Sequence, residues 1–206
     1  MPDSFVLAFV PGVTPGKWVG VWKQRMPRIH IDVRPQSADD ALHSLRDGTA
    51  HVALLRLPFA DDGLSVIPLY SETAVVVAPK DHPIAAFDAL TRADLAGETV
   101  LPGQDAAVVE LVAANVGLAL MPASIARLHG RKDVVARPIT DAEETRIALV
   151  WVTERTVPWI EEFVGIVRGR TANSSRGEET PPTPKVRPPA KGSTKKKPGR
   201  PSKPRR

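Results

Sequence analysis

Apolar residues in this chain fall into short unbroken runs, separated by stretches in which they recur at alternating or helical spacing. FVLAFV (residues 5–10), ended by Pro11 and Gly12, predicts a strand covered on both faces. Thr14 as a cap and Pro15 as a first helical residue then open a stretch where Trp18, Trp22 and Met26 recur at helical spacing until Pro27. IHIDV (29–33) alternates as a strand does. Ser37, followed by Asp39 and Asp40, then Leu42 and Leu45, then Gly48, spells a capped helix with a glycine stop. HVALLRL (51–57) reads as a further buried strand. The order β-α-β-α-β implies right-handed crossovers and a parallel sheet with helices on its faces.

The second half repeats this grammar. SVIPLY, TAVVVAP, ETVLP, GLALM, VVARPI and RIALVWV predict strands; DALTRADLAG, DAAVVELVAAN, PASIARLHG and VPWIEEFVGIVRGR predict helices, the last closing and amphipathic. Two α/β lobes, joined by strands near residues 70–80 and 146–153, fit this order. From Thr171 onward the pattern stops. That stretch has almost no large apolar residue and carries eight of the chain's 21 prolines, so it cannot bury enough surface to offset chain entropy and is expected to be disordered.

Certain strings in the body carry a resemblance. DGTAHVALLRLPFADDGLSVIPLYSETAVVVAPKDHPIA, then ADLAGETVLPG, VGLALMPASIA and IALVWV, in that order, are similar to the effector-binding (substrate-binding) domain of LysR-type transcriptional regulators over most of residues 5–168. The resemblance implies two Rossmann-like lobes of the periplasmic-binding-protein type, with a small molecule in the cleft between them. The expected division is lobe I at about 1–72 and 150–170, lobe II at about 73–149, and a tail at 171–206. Two departures from the family pattern stand out. The chain starts at the first effector-domain strand, where the family carries a helix-turn-helix and linker helix, and LPGQD nearly abuts AAVVELVAANVGLALMP, where the family has roughly another helix and strand. The second lobe is therefore expected to be shortened.

Charge separates along the same boundary. Residues 171–206 hold eleven Lys and Arg against Glu178 and Glu179, a net of +9, which leaves −4 on the body out of a whole-chain +5. A polyanion should meet the tail first. Within it, KKKPGRPSKPRR resembles an AT-hook, in which arginine enters the narrow minor groove of A·T-rich DNA and neighbouring lysines hold phosphates. Expected DNA contacts are Lys195, Lys196, Lys197, Gly199, Arg200, Pro201, Lys203, Arg205 and Arg206. Pro198 stands where the full motif has a second arginine, so sequence preference should be weak. A basic, solvated tail with no sequence preference is the plain alternative.

For the cleft, ligands in open α/β sheets sit beyond the carboxyl ends of strands, against helix N-termini. Those places here are Pro11 and Thr14, Gln36 and Ser37, Arg56, and Pro102, Gly103 and Gln104. Arg56 suits a small carboxylate effector, with hydroxyls from Thr14 and Ser37. Each has a structural alternative: Thr14 and Ser37 as caps, and Arg56 paired with Asp61 or Asp62.

Other chemistry is sparse. There is no cysteine, so thiolate catalysis, disulfides and Cys-based zinc sites are excluded. His30, His43, His51, His82 and His129 form no i, i+4 pair, and no metal or cofactor is expected. His82 before Pro83 reads as part of a turn. Gly16-Lys17 is followed by Trp18, which rules out a Walker A loop, and no G-x-S-x-G or G-x-G-x-x-G motif occurs. Glu143-Glu144 and Glu161-Glu162 read as solvated surface. Asp3 stands where a signal peptide would be basic and the first apolar run is too short to span a bilayer, so a cytoplasmic location is expected, with nucleoid association as its DNA-bound form. The sequence thus predicts a non-enzymatic regulator that binds an effector in its body and DNA through its tail, as a homodimer or paired with LysR-type regulators. The competing expectation is a cytoplasmic ligand-binding or protein-interaction module with no direct DNA role.

Overall fold

The computed structural model describes residues 4–170. The chain first lays down β1 (Ser4–Phe9), α1 (Gly16–Arg25), β2 (His30–Pro35), α2 (Ala38–Asp47) and β3 (Val52–Arg56). β1 pairs in parallel with both β2 and β3. The two crossovers step in opposite directions from the central β1, so right-handedness places α1 and α2 on opposite faces. β1 therefore has to be apolar on both sides, which is why FVLA reads as an unbroken run; all four residues are buried. On one face Phe5 stacks on Trp22 of α1 at 4.4 Å between ring centroids and meets Phe163 of α5 (Pro158–Val167) at 5.3 Å. The Trp22 indole donates to the Ile29 carbonyl at 3.1 Å, so the buried ring leaves no polar atom stranded.

The sheet is completed by β4 (Leu64–Glu72) and β9 (Thr145–Val152), giving the order β2-β1-β3-β9-β4. β9 lies antiparallel between β3 and β4. β4 is the outermost strand, a position that tolerates Pro68, which has no N–H for the ladder. After Thr73 the chain enters a second sheet, of order β6-β7-β5-β8, built from β5 (Ala74–Pro79), β6 (Val100–Leu101), β7 (Leu118–Pro122) and β8 (Val134–Pro138). Central β5 alternates between two clusters: Val75 and Val77 face Val109 and Val112 of α3 (Ala106–Ala113), while Val76 and Ala78 face Ile84, Leu90 and Ile139. The chain returns between β8 and β9, and because β9 lies wholly in the first sheet, that return precedes Thr145 rather than falling near residue 150.

Two local expectations change. DALTRADLAG forms no α-helix: Leu90 makes a bridge to Ile139, and only Ala93–Leu95 forms a 3₁₀ turn. The Asp94 carboxylate accepts the backbone N–H and hydroxyl of Thr91, which holds the segment as a turn. Glu162 is not merely solvated, since it pairs with Arg25 at 3.0 Å and ties α5 to α1. His82 behaves as a turn residue, its Nδ1 accepting from the Ile84 N–H at the start of the Pro83–Ala86 turn. Among the described residues no helix is long and apolar enough to cross a membrane, and no group of three or more His, Asp or Glu is placed to hold a metal.

Candidate functional site: a cleft between two sheets

Beyond the carboxyl end of β1, the loop 11–14 of the first sheet meets α4 (Ala123–Leu128), which follows β7 of the second. The approach is close. Gly12 has φ +84°, and a Cβ built there would lie 2.6 Å from Ser124 Oγ, so both conformation and space demand glycine. An open cavity of about 560 Å³ flanks this junction, lined by Phe9, Pro11, Thr14, Ser124, Arg127 and Leu128 among others. A smaller one, about 190 Å³, lies where the strands pass between the sheets, against Ala74, Arg92, Gln104, Leu120 and Thr145. Thr145 Oγ1 is buried with no hydrogen-bond partner among the described residues.

The wall at the junction is polar and tightly tied. Arg56, at the end of β3, donates from Nε to Glu72 Oε2 at 2.9 Å, and from one terminal nitrogen to the Pro11 carbonyl at 3.3 Å and to Ser124 Oγ at 3.2 Å. Glu72 is 7% exposed. The partner of Arg56 is thus neither Asp61 nor Asp62, and the sheet order explains why. Arg56 is in register with Ile147 of β9, and Ile147 with Tyr70 of β4, so β4 approaches Arg56 across β9 instead of through the intervening loop. A register shift between Pro68 and Tyr70 leaves Leu69 as an extra residue, which brings Tyr70 and Glu72 onto the face shared by Ile147 and Arg56. Burial pushes the Tyr70 phenol pKa up, Glu72 adds to the rise and Arg56 opposes it.

The sequence-predicted site residues are divided by the fold. Pro11 and Thr14 line the larger cavity and Gln104 the smaller. Arg56 lines neither; it forms the tie between loop 11–14, Ser124 and Glu72. Ser37 is the cap of α2, accepting the Asp40 N–H at 3.1 Å, and Gln36 reaches Ser44 Oγ at 3.0 Å, with its own Oε1 buried and unpartnered. Pro102 and Gly103 are exposed in the turn before α3. Lys195, Lys196, Lys197, Gly199, Arg200, Pro201, Lys203, Arg205 and Arg206 lie outside the described residues. Thr14 does not cap α1: the helix opens on Pro15, whose carbonyl accepts from the Trp18 and Val19 N–H groups, with no side-chain cap. Ser124, Arg127 and Leu128 were absent from the sequence reading, although MPASIARL marks a strand feeding a helix and the rule that pointed to loop 11–14 applies equally there.

The helix starts near the cleft differ in their electrostatics. α2 is filled by Ser37 with Asp39 and Asp40 in its first turn, and α3 is capped by Asp105, which accepts the Val108 N–H at 3.0 Å. α1 has neither an acidic residue in its first turn nor a side-chain cap. Its free N–H groups open beside Thr14, so the arrangement favours an anion at that end of the cleft. Arg127, exposed in the last turn of α4, makes no side-chain hydrogen bond to a described residue and supplies a cation on the opposite wall.

Two α/β sheets joined by two crossings, with a cleft at the carboxyl ends of their strands, make up a fold of the periplasmic-binding-protein type. Residues 4–104 match the family model described as the LysR substrate binding domain. The probable hydrogen peroxide-inducible genes activator of Mycobacterium xenopi is 33% identical over 82 residues, 40% of this chain and 43% of that protein. The Hca operon transcriptional activator HcaR of Escherichia coli K12 is 24% identical over 204 residues, covering 82% of this chain and 69% of the relative. Less than half the length of the first of these relatives is thus spanned. Among solved structures, the BenM effector binding domain with its effector benzoate superposes with a TM-score of 0.69 at 17% identity, over 81% of this chain and 90% of that one. The hydrogen-peroxide-bound OxyR mutant of Corynebacterium glutamicum gives 0.67 at 22%, over 81% and 67%. At these identities the structures establish the fold.

Proposed function

We propose that this domain senses a small organic carboxylate in the cleft between its two sheets and acts, without catalysis, as the effector-binding part of a LysR-type transcriptional regulator. The observation that carries this reading is the pairing of the uncapped start of α1, beside Thr14, with the Arg127 guanidinium across a cavity of about 560 Å³. That size accommodates a small acid, and a guanidinium lining a cavity that ends at Thr14, next to the uncapped start of α1, supplies groups of the kind that hold a carboxylate. Arg56 serves the site from behind. It fixes loop 11–14 and Ser124 relative to each other, so its contribution to a ligand is through the shape of the wall.

Output to DNA is assigned to the cationic residues of 171–206, with a cytoplasmic, nucleoid-associated location and side-by-side pairing with a second copy or another LysR-type regulator as the accompanying expectations. Support comes from the +9 charge of that stretch and from the kind of protein its relatives are named to be.

The cleft is tested by calorimetric titration of the full chain with a panel of small aliphatic carboxylates. A saturable one-site isotherm is expected. Arg127→Ala should weaken it by roughly 5- to 30-fold, the equivalent of one to two kcal/mol. No heat from any acid in the panel, or undiminished affinity in Arg127→Ala, would remove the basis for the reading.

A further inference from the structure

A second cavity among the described residues lies apart from the cleft. It measures about 590 Å³ and lies at the other end of the first sheet, where β3 begins, β9 ends and α5 starts. Leu45, Val152, Val157, Pro158 and Trp159 give it apolar walls, and two polar side chains line it, His51 and Arg155.

Both polar groups are held in place. His51 Nδ1 accepts the Val6 N–H at 3.0 Å, taking the place of a ladder carbonyl near the start of β1. With Nδ1 acting as acceptor, the neutral ring carries its proton on Nε2, which has no hydrogen-bond partner among the described residues. Arg155 donates from one terminal nitrogen to the Leu45 carbonyl at 3.2 Å, at the end of α2. It can do so because Gly48 has no side chain: a Cβ there would lie 2.7 Å from the same guanidinium nitrogen. One nitrogen is thus used by the fold, and the rest of the planar cation is available at the rim. Next to His51 stands the Trp159 ring, 6.3 Å between centroids and tilted by 48°.

An apolar pocket of several hundred cubic ångströms with a few fixed polar groups is the form that small-molecule sites take. Here the fixed groups are a donor and a cation, complementary to an acid head, while the walls suit a flat apolar body. We infer that this cavity is a second small-molecule site, one that takes an aromatic carboxylic acid with its ring among Leu45, Val157 and Trp159 and its carboxylate towards Arg155 and His51 Nε2. The inference is independent of the cleft. The two cavities share no lining residue and sit at opposite ends of the parallel strands.

The test is a titration of the full-length chain with indole-3-acetate, followed by NMR at the Trp159 indole N–H and the His51 imidazole, up to about 10 mM, beyond the range of weak small-ligand affinities. Saturable shifts at both groups are expected. Arg155→Gln should weaken them at least fivefold, and Val157→Asp, which places a like charge at the exposed mouth, should abolish them. They should persist in Thr14→Ala/Arg127→Ala, which impairs the cleft. Signals at Trp159 and His51 that stay still in the folded wild-type chain, or that move equally in Val157→Asp, would overturn the site. Shifts lost in the Thr14→Ala/Arg127→Ala variant alone would overturn it as well, because they would report binding in the cleft.

Discussion

Arg56 and Glu72 illustrate how one pair of side chains carries the geometry of the cleft wall. Their side chains are only 17% and 6% exposed, so each charge depends on the other for compensation. Arg56→Ala would strand the Glu72 carboxylate and release both Pro11 and Ser124. A loss of about 3–5 kcal/mol is expected, read from the urea midpoint, whereas Arg56→Met combined with Glu72→Leu should recover much of it by replacing a charged pair with an apolar one. His51 gives a second residue-scale prediction. Burial holds its imidazole pKa below the usual 6.5. Between the lowered native value and 6.5 the unfolded chain binds the extra proton, so stability should fall as pH drops through 6.5 and level off once the native ring titrates. Urea midpoints at several pH values should show this slope in the wild type and lose it in His51→Asn.

Helices α1 and α2 look alike in sequence, each with a hydroxyl residue ahead of an apolar-periodic stretch, yet only one cap forms. Ser37 has extended backbone and its Oγ accepts the Asp40 N–H. Thr14 is followed by Pro15, which takes the flanking position itself with helical φ and ψ and carries the first accepting carbonyl. Ser37→Ala should therefore cost about 1 kcal/mol, while Thr14→Ala should leave thermal stability nearly unchanged. Equal losses in the two variants would contradict the assignment. Gly48 ends α2 in the left-handed region at φ +83° and clears room for Arg155, so the glycine stop was legible in the sequence and its second purpose was not. The strands were legible too, because a run such as AVVVAP can only be satisfied by cover on both faces; β5 has it, with Val75 and Val77 on one cluster and Val76 and Ala78 on the other.

Over the whole molecule, charge and apolar content divide at the same place, and the DNA proposal is tested there. Removing residues 171–206 takes away +9 and leaves a body of −4. Retention on DNA should drop sharply, and for the full chain an engagement of about six to eight phosphates predicts a log-log salt slope of roughly −5 to −7. A body that binds DNA as well as the full chain does would refute the assignment to the tail.

What the sequence determined by itself was everything set by neighbours along the chain: periodicity named the strands and most helices, Ser37 and Gly48 bounded α2, and the ordered family strings disclosed the two-lobed domain. Contacts between residues distant in sequence were decided by the tertiary structure. β9 returns from far downstream to separate β3 from β4, and one extra residue at Leu69 turns Glu72 towards Arg56. Ser124 and Arg127 reach the cleft because α4 packs against loop 11–14. Side-chain partners are fixed by sheet order, register and packing, and these emerge only once the whole chain has closed on itself.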